Sequence, residues 1–481
     1  MNTYHYILPL FLVLGTFACT EDFEEINTNP NAPIEVQPSL LLRQVIYDYG
    51  EEMSYEGFVA GNLLGQYFTA IDFNLFDRHS LTEPQFGGNP WPVIYTNLRD
   101  NELILDQVVK NPTLVVYEGP ALIMKAYLSM ALTDLFGDVP YTDALQGTNG
   151  NVTPVYDNQA DVYQGIVGIL ANLESGIDAI NNYQGSIALE GDILFNGDLS
   201  AWVRFANSLR LKALMRISAK VDVAAAIQTI YDEGNYLSIN DQNATYDFND
   251  GQPNNFRMAN LRAGDFNLFI MSATMEEILT NLNDPRRDVW FRPTGNDAAI
   301  YAGLLNGPDA SQTSISVADY SLSGTIFREH TSDLDANFLT AWETHFLLAE
   351  AAERGLIDAD AQSLYELAVQ QAFEYWQTPT PADYLTTGPA AYKANGANPI
   401  EQIITQKWLA NIINGYEGWI EYRRTGFPTL KTISASLNND LIPVRLPYPT
   451  DEAALNPVNF NAAAANTNGN SVNSMVWWDV N

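Results

Sequence analysis

Residues 121–140 read ALIMKAYLSMALTDLFGDVP, and their apolar side chains follow the period of an α-helix. The apolar positions recur at spacings of three and four residues, which places them on one helix face. They are Ala121, Met124, Leu128, Ala131, Leu132 and Leu135. Gly137 supplies a helix stop, and Pro140 follows it. The stretch therefore predicts a helix with one apolar face that ends before Gly137.

Helical periodicity continues along much of the chain. A second helix is predicted after Asp198, a residue type that caps helix N-termini, with apolar residues from Trp202 to Ile217 on one face. Further helices are predicted at 162–180, 224–232, 272–281, 339–354, 361–376 and 400–413. Small alanines in 347–355 and 361–376 allow close helix contact, as in a tetratricopeptide-type helix pair, but the period is too irregular for a regular array. We therefore expect a mostly α fold on a tetratricopeptide-like helical scaffold.

Four long inserts interrupt the helices, at 66–95, 236–270, 290–337 and 377–399. They are rich in Gly, Asn, Asp, Pro and aromatic residues. Loops of this length in a compact protein are usually functional or disordered, and aromatic content argues against simple disorder. We expect one domain over 36–481, in which the loop-rich inserts form a ligand face.

The N-terminus resembles the leader of a bacterial lipoprotein. The apolar run 7–17 is 11 residues long, which fits a signal-peptide core and is too short to span a bilayer. Cys19 follows directly after a small residue and is the only cysteine in the chain. The pattern predicts a signal peptide at 1–18, lipidation of Cys19 and a linker at 19–35. The alternative is a buried N-terminal helix or strand with a chance cysteine. Pro9 and Gly15 disfavour it, as does the polar and acidic sequence directly after Cys19.

Charge is strongly unbalanced, with 58 acidic and 23 basic residues and a formal net charge of −35. Such a surface repels polyanions, so nucleic-acid binding is not expected, whereas a neutral glycan is compatible. The polar faces of the helix after Asp198 hold five basic residues, which we expect to neutralise internal carboxylates rather than bind an anion. These are Arg204, Arg210, Lys212, Arg216 and Lys220. Membrane attachment is expected only through the N-terminal lipid, because no later segment approaches 18 uninterrupted apolar residues.

Several segments, in order along the chain, resemble SusD/RagB-type outer-membrane lipoproteins. They are residues 22–31, 132–144, 348–355, 418–426, 442–449, 456–457 and 477–479. The resemblance, closest to the SusD-like branch beside TonB-dependent transporters, implies a mostly α protein that forms a lid over a SusC-like barrel. Members capture oligosaccharides or, in some cases, peptides and pass them inward, and they are not enzymes. The resemblance also implies an outer-membrane location. The acidic residues directly after Cys19 resemble a signal for export to the cell surface.

The resemblance places ligand aromatics in the first insert and at about 290–330. A glycan site needs flat apolar faces beside polar groups, and these two inserts supply both. The candidate ligand-binding residues are Tyr67, Asp72, Phe76, Arg78, Trp91, Tyr301 and Tyr320. We expect Trp91 and Tyr301 to stack on the ligand and Asp72 and Arg78 to make polar contacts. The alternative for each aromatic, and for Phe73 and Trp290, is core packing under the loops. Trp91, at a loop-to-helix junction, fits both interpretations equally, whereas Trp477 and Trp478 are expected to pack.

No catalytic motif is present. His79, His330 and His345 do not form a zinc-protease spacing, and there is no nucleophile elbow, P-loop or Cys/His cluster. A glycosidase needs only two carboxylates, but no pair stands out. No cofactor is expected. Residues 247–251 and 333–337 alternate oxygen-bearing side chains as calcium loops do, but neither reaches a Glu at position twelve, so turn formation is favoured. A nutrient-binding role and a tetratricopeptide-type protein-interaction role both remain, and the aromatic-rich loops favour the first.

Overall fold

The scaffold consists of α-helices within the residues that the computed structural model describes, which are 36–82, 84–309, 311 and 314–480. The α-helices of six or more residues in these ranges are α1 Pro38–Glu56, α2 Pro90–Lys110, α3 Glu118–Phe136, α4 Gln159–Gln164, α5 Ile169–Asn181, α6 Leu199–Ile217, α7 Ala224–Glu233, α8 Ala273–Leu282, α9 Ala341–Glu353, α10 Ala361–Tyr375, α11 Pro399–Ala410, α12 Glu417–Thr425, α13 Thr450–Leu455 and α14 Pro457–Asn466. The predicted signal peptide, Cys19 and the linker lie outside the described residues. In the described part of the chain, no helix combines the length and apolarity needed to cross a bilayer.

Consecutive helices pack side by side, which confirms the mostly α, tetratricopeptide-like scaffold. Helices α1, α2 and α3 form successive pairs, α3 packs on α5, and α9 packs on both α10 and α11. The opening stretch forms most of α3, which ends at Gly137 with φ of 81°, a conformation that glycine adopts without steric cost. The Asp198 carboxylate accepts hydrogen bonds from the backbone N–H groups of Ser200 and Ala201 and so caps α6.

Two helical predictions differ from the structure. The segment predicted as one helix at 162–180 is divided between α4 and α5, because Gly165 and Gly168 both adopt extended conformations between them. The first insert also ends earlier than predicted, since α2 already begins at Pro90. Proline suits the first helical position because its missing N–H would have no intrahelical partner there.

Among the residues that the structure describes there are three short antiparallel strand pairs, and two of them join inserts to one another. The three pairs are β1 Phe68–Ala70 with β5 Phe269–Met271, β2 Val139–Pro140 with β3 Tyr156–Asp157, and β4 Ala244–Asp247 with β6 Asp335–Leu339. The β1–β5 pair connects the first insert to the second, and isolated bridges from Ile270 to Leu322 and from Phe291 to Ser323 add the third. Three of the four inserts therefore share backbone pairing.

Most aromatic side chains of these inserts form a core of their own. The Phe58 ring lies with its centroid 4.7 Å from that of Phe68, 5.6 Å from that of Phe269 and 5.1 Å from that of Phe327. Trp290 is fully buried in the same cluster. The interpretation of Trp290 as a core residue is therefore confirmed, and this packing explains how such long loops are ordered.

A network of buried charges joins α6, α9 and α12. Lys212 Nζ lies 2.8 Å from Glu343 Oε1, and Arg216 lies 2.7 Å from each of Glu417 and Glu421. Burial alone would raise the pKa of Glu421, but the surrounding guanidinium and ammonium groups hold that pKa well below its usual range. Internal neutralisation is thus confirmed for Lys212 and Arg216.

Arg424 extends this network along α12. Its guanidinium contacts Glu350 of α9 at 2.5 Å and Glu421 at 2.6 Å. Because α12 is tied in this way to α6 and α9, the segment that follows it, residues 427–441, leaves the scaffold at a fixed position.

Candidate functional site

Three loop segments meet to form a surface that we call the loop face, made of residues 66–88, 294–309 with 316–323, and 427–441. The Leu437 amide donates a hydrogen bond to the Arg78 carbonyl at 2.7 Å. The Ser434 amide donates to the Asn306 carbonyl at 2.8 Å, and the Ala435 amide donates to the Gly307 carbonyl at 3.0 Å. Sequence reasoning missed 427–441 as part of this face, since the segment has neither the length nor the aromatic content of the predicted inserts.

Asp77 lies buried under the loop face and joins segment 66–88 to segment 294–309. Its buried carboxylate accepts hydrogen bonds from Thr69 Oγ1, Asn306 Nδ2 and the Gly307 amide, each at 2.7 Å. Burial raises the pKa of Asp77 to about 6, although these donors oppose that effect. Sequence reasoning missed Asp77, because nothing in its local sequence indicates that two of its donors, Asn306 and Gly307, come from more than 200 residues away.

Of the predicted polar contacts, both Asp72 and Arg78 reach the surface of the loop face. Asp72 is exposed, and its Oδ1 accepts a hydrogen bond from the Phe73 amide at 2.8 Å. Arg78 is half-buried, donates through Nε to the Ala435 carbonyl at 2.9 Å and lies 3.5 Å from Asp309. Its guanidinium is therefore held in place by both other loop segments while part of it stays accessible.

Two predicted aromatics of the first insert lie beneath this surface. Tyr67 is 1% exposed, stacks on Trp408 with ring centroids 4.0 Å apart, and donates its hydroxyl to the Trp408 carbonyl at 2.5 Å. Phe76 is also buried and fills the space beside Gly88. Contrary to the sequence-based expectation, both rings face neighbouring protein groups in this structure and offer no free face for stacking.

Trp91 occupies the first turn of α2 and is 7% exposed. Its ring centroid lies 4.8 Å from that of Tyr95 and 4.9 Å from that of Phe136, and Tyr156 and Tyr448 complete the surrounding cluster. The sequence left two interpretations of Trp91 open, and this packing favours the core interpretation. Trp478 is likewise buried, as expected.

Tyr301 and Tyr320 lie on adjacent strand-like segments of the loop face, and both are half-buried. The Ser321 amide donates to the Ala302 carbonyl at 2.9 Å, which holds the two segments together. The Arg287 guanidinium lies 4.0 Å from the Tyr301 ring centroid, a cation–π contact. Burial, and then the nearby Asp288 carboxylate, raise the pKa of Tyr301. The predicted pair is therefore brought together and remains partly accessible.

Phe73 is the most exposed of the aromatic residues considered in the first insert. It is 54% exposed and meets Phe86 edge-to-face with centroids 5.5 Å apart. Its φ of 49° is left-handed, which is uncommon for a bulky residue and often marks a functional site. The interpretation of Phe73 as buried core is therefore wrong: it projects from the turn that Asp72 stabilises.

The histidine at this face is not available as a proton-transfer group. His79 is buried, and its Nδ1 lies 3.1 Å from the Leu441 carbonyl oxygen. Burial lowers the pKa of His79 to about 4, although that contact opposes the effect. Among the described residues, no group of three His, Cys, Asp or Glu side chains is arranged to hold a metal ion.

The two segments with calcium-loop spacing are neighbours in the fold. Asp247 and Asp335 are paired positions of β4 and β6, and Asp250 accepts hydrogen bonds from the amide and hydroxyl of Ser332. Burial, and then the charge of Asp247, raise the pKa of Asp335 to about 7. Asp250 thus ties its segment to Ser332 of the other segment, whereas Asn249 makes the local turn, since its Oδ1 accepts a hydrogen bond from the Gly251 amide at 2.8 Å.

A family model described as "Starch-binding associating with outer membrane" matches residues 30–449. A solved chitin-binding protein superposes with a TM-score of 0.78 at 25% identity, over 92% of this chain and 100% of its own. A SusD homologue from Bacteroides fragilis gives a TM-score of 0.78 at 25% identity, over 92% and 99%. A chitin-binding SusD homologue from Flavobacterium johnsoniae shares the fold, with a TM-score of 0.73 at 23% identity, over 92% and 98%. No curated protein sequence matches the chain.

Proposed function

The chain belongs to the SusD-like family, and we propose that it is a lipid-anchored protein of the outer-membrane surface that captures oligosaccharides at the loop face. It then delivers them to a SusC-like TonB-dependent transporter. Cys19 carries the lipid, and the protein acts by binding and not by catalysis. A peptide ligand is the alternative cargo for the same role.

The composition of the loop face is the observation that carries this proposal. Exposed Phe73 and half-buried Tyr301 offer apolar ring surface, and Asp72 and Arg78 offer charged hydrogen-bonding groups on the same face, while Arg287 beside the face contacts the Tyr301 ring. A sugar ring has apolar C–H faces and hydroxyl edges, so it requires this combination. The family description and the chitin-binding structural matches support a glycan as the ligand class.

A binding role is also supported by the structural role of two titratable groups of this face, Asp77 and His79. Asp77 accepts hydrogen bonds from four donors, and His79 is buried with a lowered pKa. Both groups are committed to the structure of the loops. An acid–base enzyme would instead keep such groups accessible and poised near the operating pH.

Isothermal titration calorimetry with malto-oligosaccharides, chito-oligosaccharides and a peptide pool tests this proposal. We expect saturable binding to one glycan series and a loss of about thirtyfold in affinity for Tyr301→Ala, as for removal of a hot-spot aromatic. Val109→Ala is the matched control, because Val109 is 83% exposed on α2, outside the loop face. Binding that is equal in both variants would refute the placement, and saturable binding to the peptide pool alone would replace the glycan.

A further inference from the structure

A small apolar pocket opens on the loop face beside Phe73. Of the nine described residues that line it, eight are apolar and the ninth is Gln85. The centre of a water-sized group has about 10 Å³ of room in its enclosed part, within about 250 Å³ of empty space that includes the mouth. The enclosed part therefore has room for one methyl-sized group and is too small for a sugar ring.

The floor of this pocket is formed by buried hydrocarbon side chains. Ala70 and Phe269 are paired positions of β1 and β5, and Val59 lies in the π-helical turn Gly57–Gly61. A side chain at Gly87 would collide with Val59, so the backbone of the first insert packs directly onto this turn. Such π-helical turns are rare and often occur at functional sites.

The turn that carries Phe73 is attached on two sides. Asn74 Nδ2 donates hydrogen bonds to the Ala70 carbonyl at 2.9 Å and to the Pro308 carbonyl at 2.7 Å. The turn is thus fixed both to β1 and to segment 294–309 of the loop face. A wall that is already in place before a ligand binds reduces the free-energy cost of binding.

Two aromatic rings and one amide side chain surround the mouth. Phe73 and Phe86 line the pocket and meet edge-to-face. Gln85 is exposed, and its Oε1 accepts a hydrogen bond from the Leu75 amide at 3.0 Å. Because this bond uses the carbonyl end of the Gln85 side chain, its Nε2 end is the part that can donate to a ligand at the mouth.

The pocket and Gln85 together match the chemistry of an acetamido group. The methyl of this group is apolar and fits the enclosed part, and the carbonyl oxygen on the adjacent carbon accepts hydrogen bonds. A hydroxyl in the same place would lose its contacts with water and meet only hydrocarbon side chains in the floor, which costs binding free energy. An ionised substituent would be disfavoured more strongly.

We propose that the pocket beside Phe73 is a specificity subsite for the acetamido group of an N-acetylated amino sugar. This inference rests on the proposed function, since it names the class of glycan that is captured at the loop face. The sugar ring lies against the exposed side of Phe73, and its acetamido methyl enters the pocket. The acetamido carbonyl accepts a hydrogen bond from Gln85 Nε2.

Calorimetric titration of the protein with chitohexaose and cellohexaose tests the inference. The two oligosaccharides have the same length and linkage, and they differ in one substituent of each sugar ring, which is acetamido in the first and hydroxyl in the second. Both are neutral, so the charge of the protein does not bias the comparison. Burial of one methyl corresponds to about fourfold in affinity, and the hydrogen bond from Gln85 adds to this. We therefore expect chitohexaose to bind about tenfold more tightly.

Two variants separate the pocket from the rest of the loop face. Val59→Ile adds one methylene at the floor and fills the enclosed part. Gln85→Glu keeps an oxygen that accepts from the Leu75 amide but removes the donor at the mouth. Each should lower the preference for chitohexaose by about fourfold or more, at an unchanged unfolding temperature. Gln370→Glu adds the same charge at an exposed position of α10, outside the loop face, and should keep the wild-type preference.

The contrary outcomes are distinguishable. Equal binding of the two hexaoses, or binding of malto-oligosaccharides alone, overturns the subsite and leaves glycan capture at the loop face standing. A preference that survives in both pocket variants also overturns the subsite, because another part of the protein then recognises the acetamido group. If no glycan binds saturably, the inference fails together with glycan capture. Should Val59→Ile not fold, Gln85→Glu alone decides, since Gln85 is exposed.

Discussion

Replacing Trp91 with alanine should destabilise the protein without weakening ligand binding per folded molecule. Trp91 is 7% exposed and contacts four aromatic rings, those of Tyr95, Phe136, Tyr156 and Tyr448. Alanine would leave a cavity where the indole now lies, at the junction of α2 with the end of α3. The protein therefore loses both the burial of the indole and its ring contacts.

The magnitude follows from the size of the buried group. An aromatic side chain of this kind buries roughly 150 to 250 Å², and at about 25 cal/mol per Å² this corresponds to about 4 to 6 kcal/mol. Alanine retains a small part of that area, and substitutions of buried Phe or Trp by Ala typically cost about 3 to 5 kcal/mol. We therefore expect the free energy of unfolding to fall by about 4 kcal/mol.

Phe73→Ala is the matched counterpart, because it removes an aromatic ring of the same insert from an exposed position. Phe73 is 54% exposed and touches chiefly Phe86, so its loss should change the free energy of unfolding by less than about 1 kcal/mol. If it contacts the ligand, affinity should fall by about tenfold or more.

Urea denaturation followed by circular dichroism gives the stability of each variant, and calorimetric titration with the glycan identified for the wild type gives its affinity. Titrations are corrected for the fraction of folded protein, so that a loss of stability is not counted as a loss of affinity. The reasoning is refuted if Trp91→Ala binds much more weakly per folded molecule while its unfolding midpoint stays at the wild-type value. In that case Trp91 is a ligand contact that becomes accessible on binding.

Three further predictions concern the anchor, a carboxylate and the buried charges. Cys19→Ala should yield a folded protein that leaves the membrane fraction in cells lacking the transporter, and its retention in washed outer membranes would contradict lipid anchoring. The folded-state pKa of Asp335 is raised to about 7, so the protein loses stability as this carboxyl ionises with rising pH. Asp335→Asn cannot ionise and should therefore stabilise the protein above pH 7, by about 2 to 4 kcal/mol. That gain should disappear towards pH 4, and a pH-independent gain would show that the charge is not its cause. Arg424→Gln should cost about 3 to 5 kcal/mol in urea denaturation because it leaves Glu350 and Glu421 poorly paired in the interior, whereas Arg99→Gln on the surface should change little.

The scaffold helices could be predicted because their signals are local. For α6 and α8, the spacing of the apolar residues and the capping residue indicate the same helix start. The side chains of Asp198 and Ser272 accept hydrogen bonds from backbone amides of the first turn. Helix α1 was not predicted, and part of the reason is Gly50 in its middle. A Cβ at this position would lie 3.1 Å from Ala336 Cβ, so glycine is used there for close contact with β6, which no local rule indicates.

The sequence predicted which inserts form the loop face but not which of their aromatic side chains are exposed. The first and third inserts and four of their residues, Asp72, Arg78, Tyr301 and Tyr320, do lie on it. Which aromatic faces solvent could not be predicted, because Phe73 and Trp91 are similar in type and the difference lies in what packs on them. Residues 427–441 come from far along the chain, as do Asn306 and Gly307, which donate to Asp77, and a single sequence does not show such pairings.

The buried charges and the loop face are connected through α12, and this connection explains why an acidic protein keeps cations in its interior. Removing ions from water is costly, so such a network adds little net stability compared with apolar packing. Its role here is geometric, because Arg216 pairs with Glu421, and Arg424 pairs with both Glu421 and Glu350. That arrangement fixes α12 on the scaffold, and 427–441 follow directly to hold Arg78 through the Ala435 carbonyl. The position of Arg78 on the loop face is therefore set by contacts that run from the surface to the centre of the scaffold.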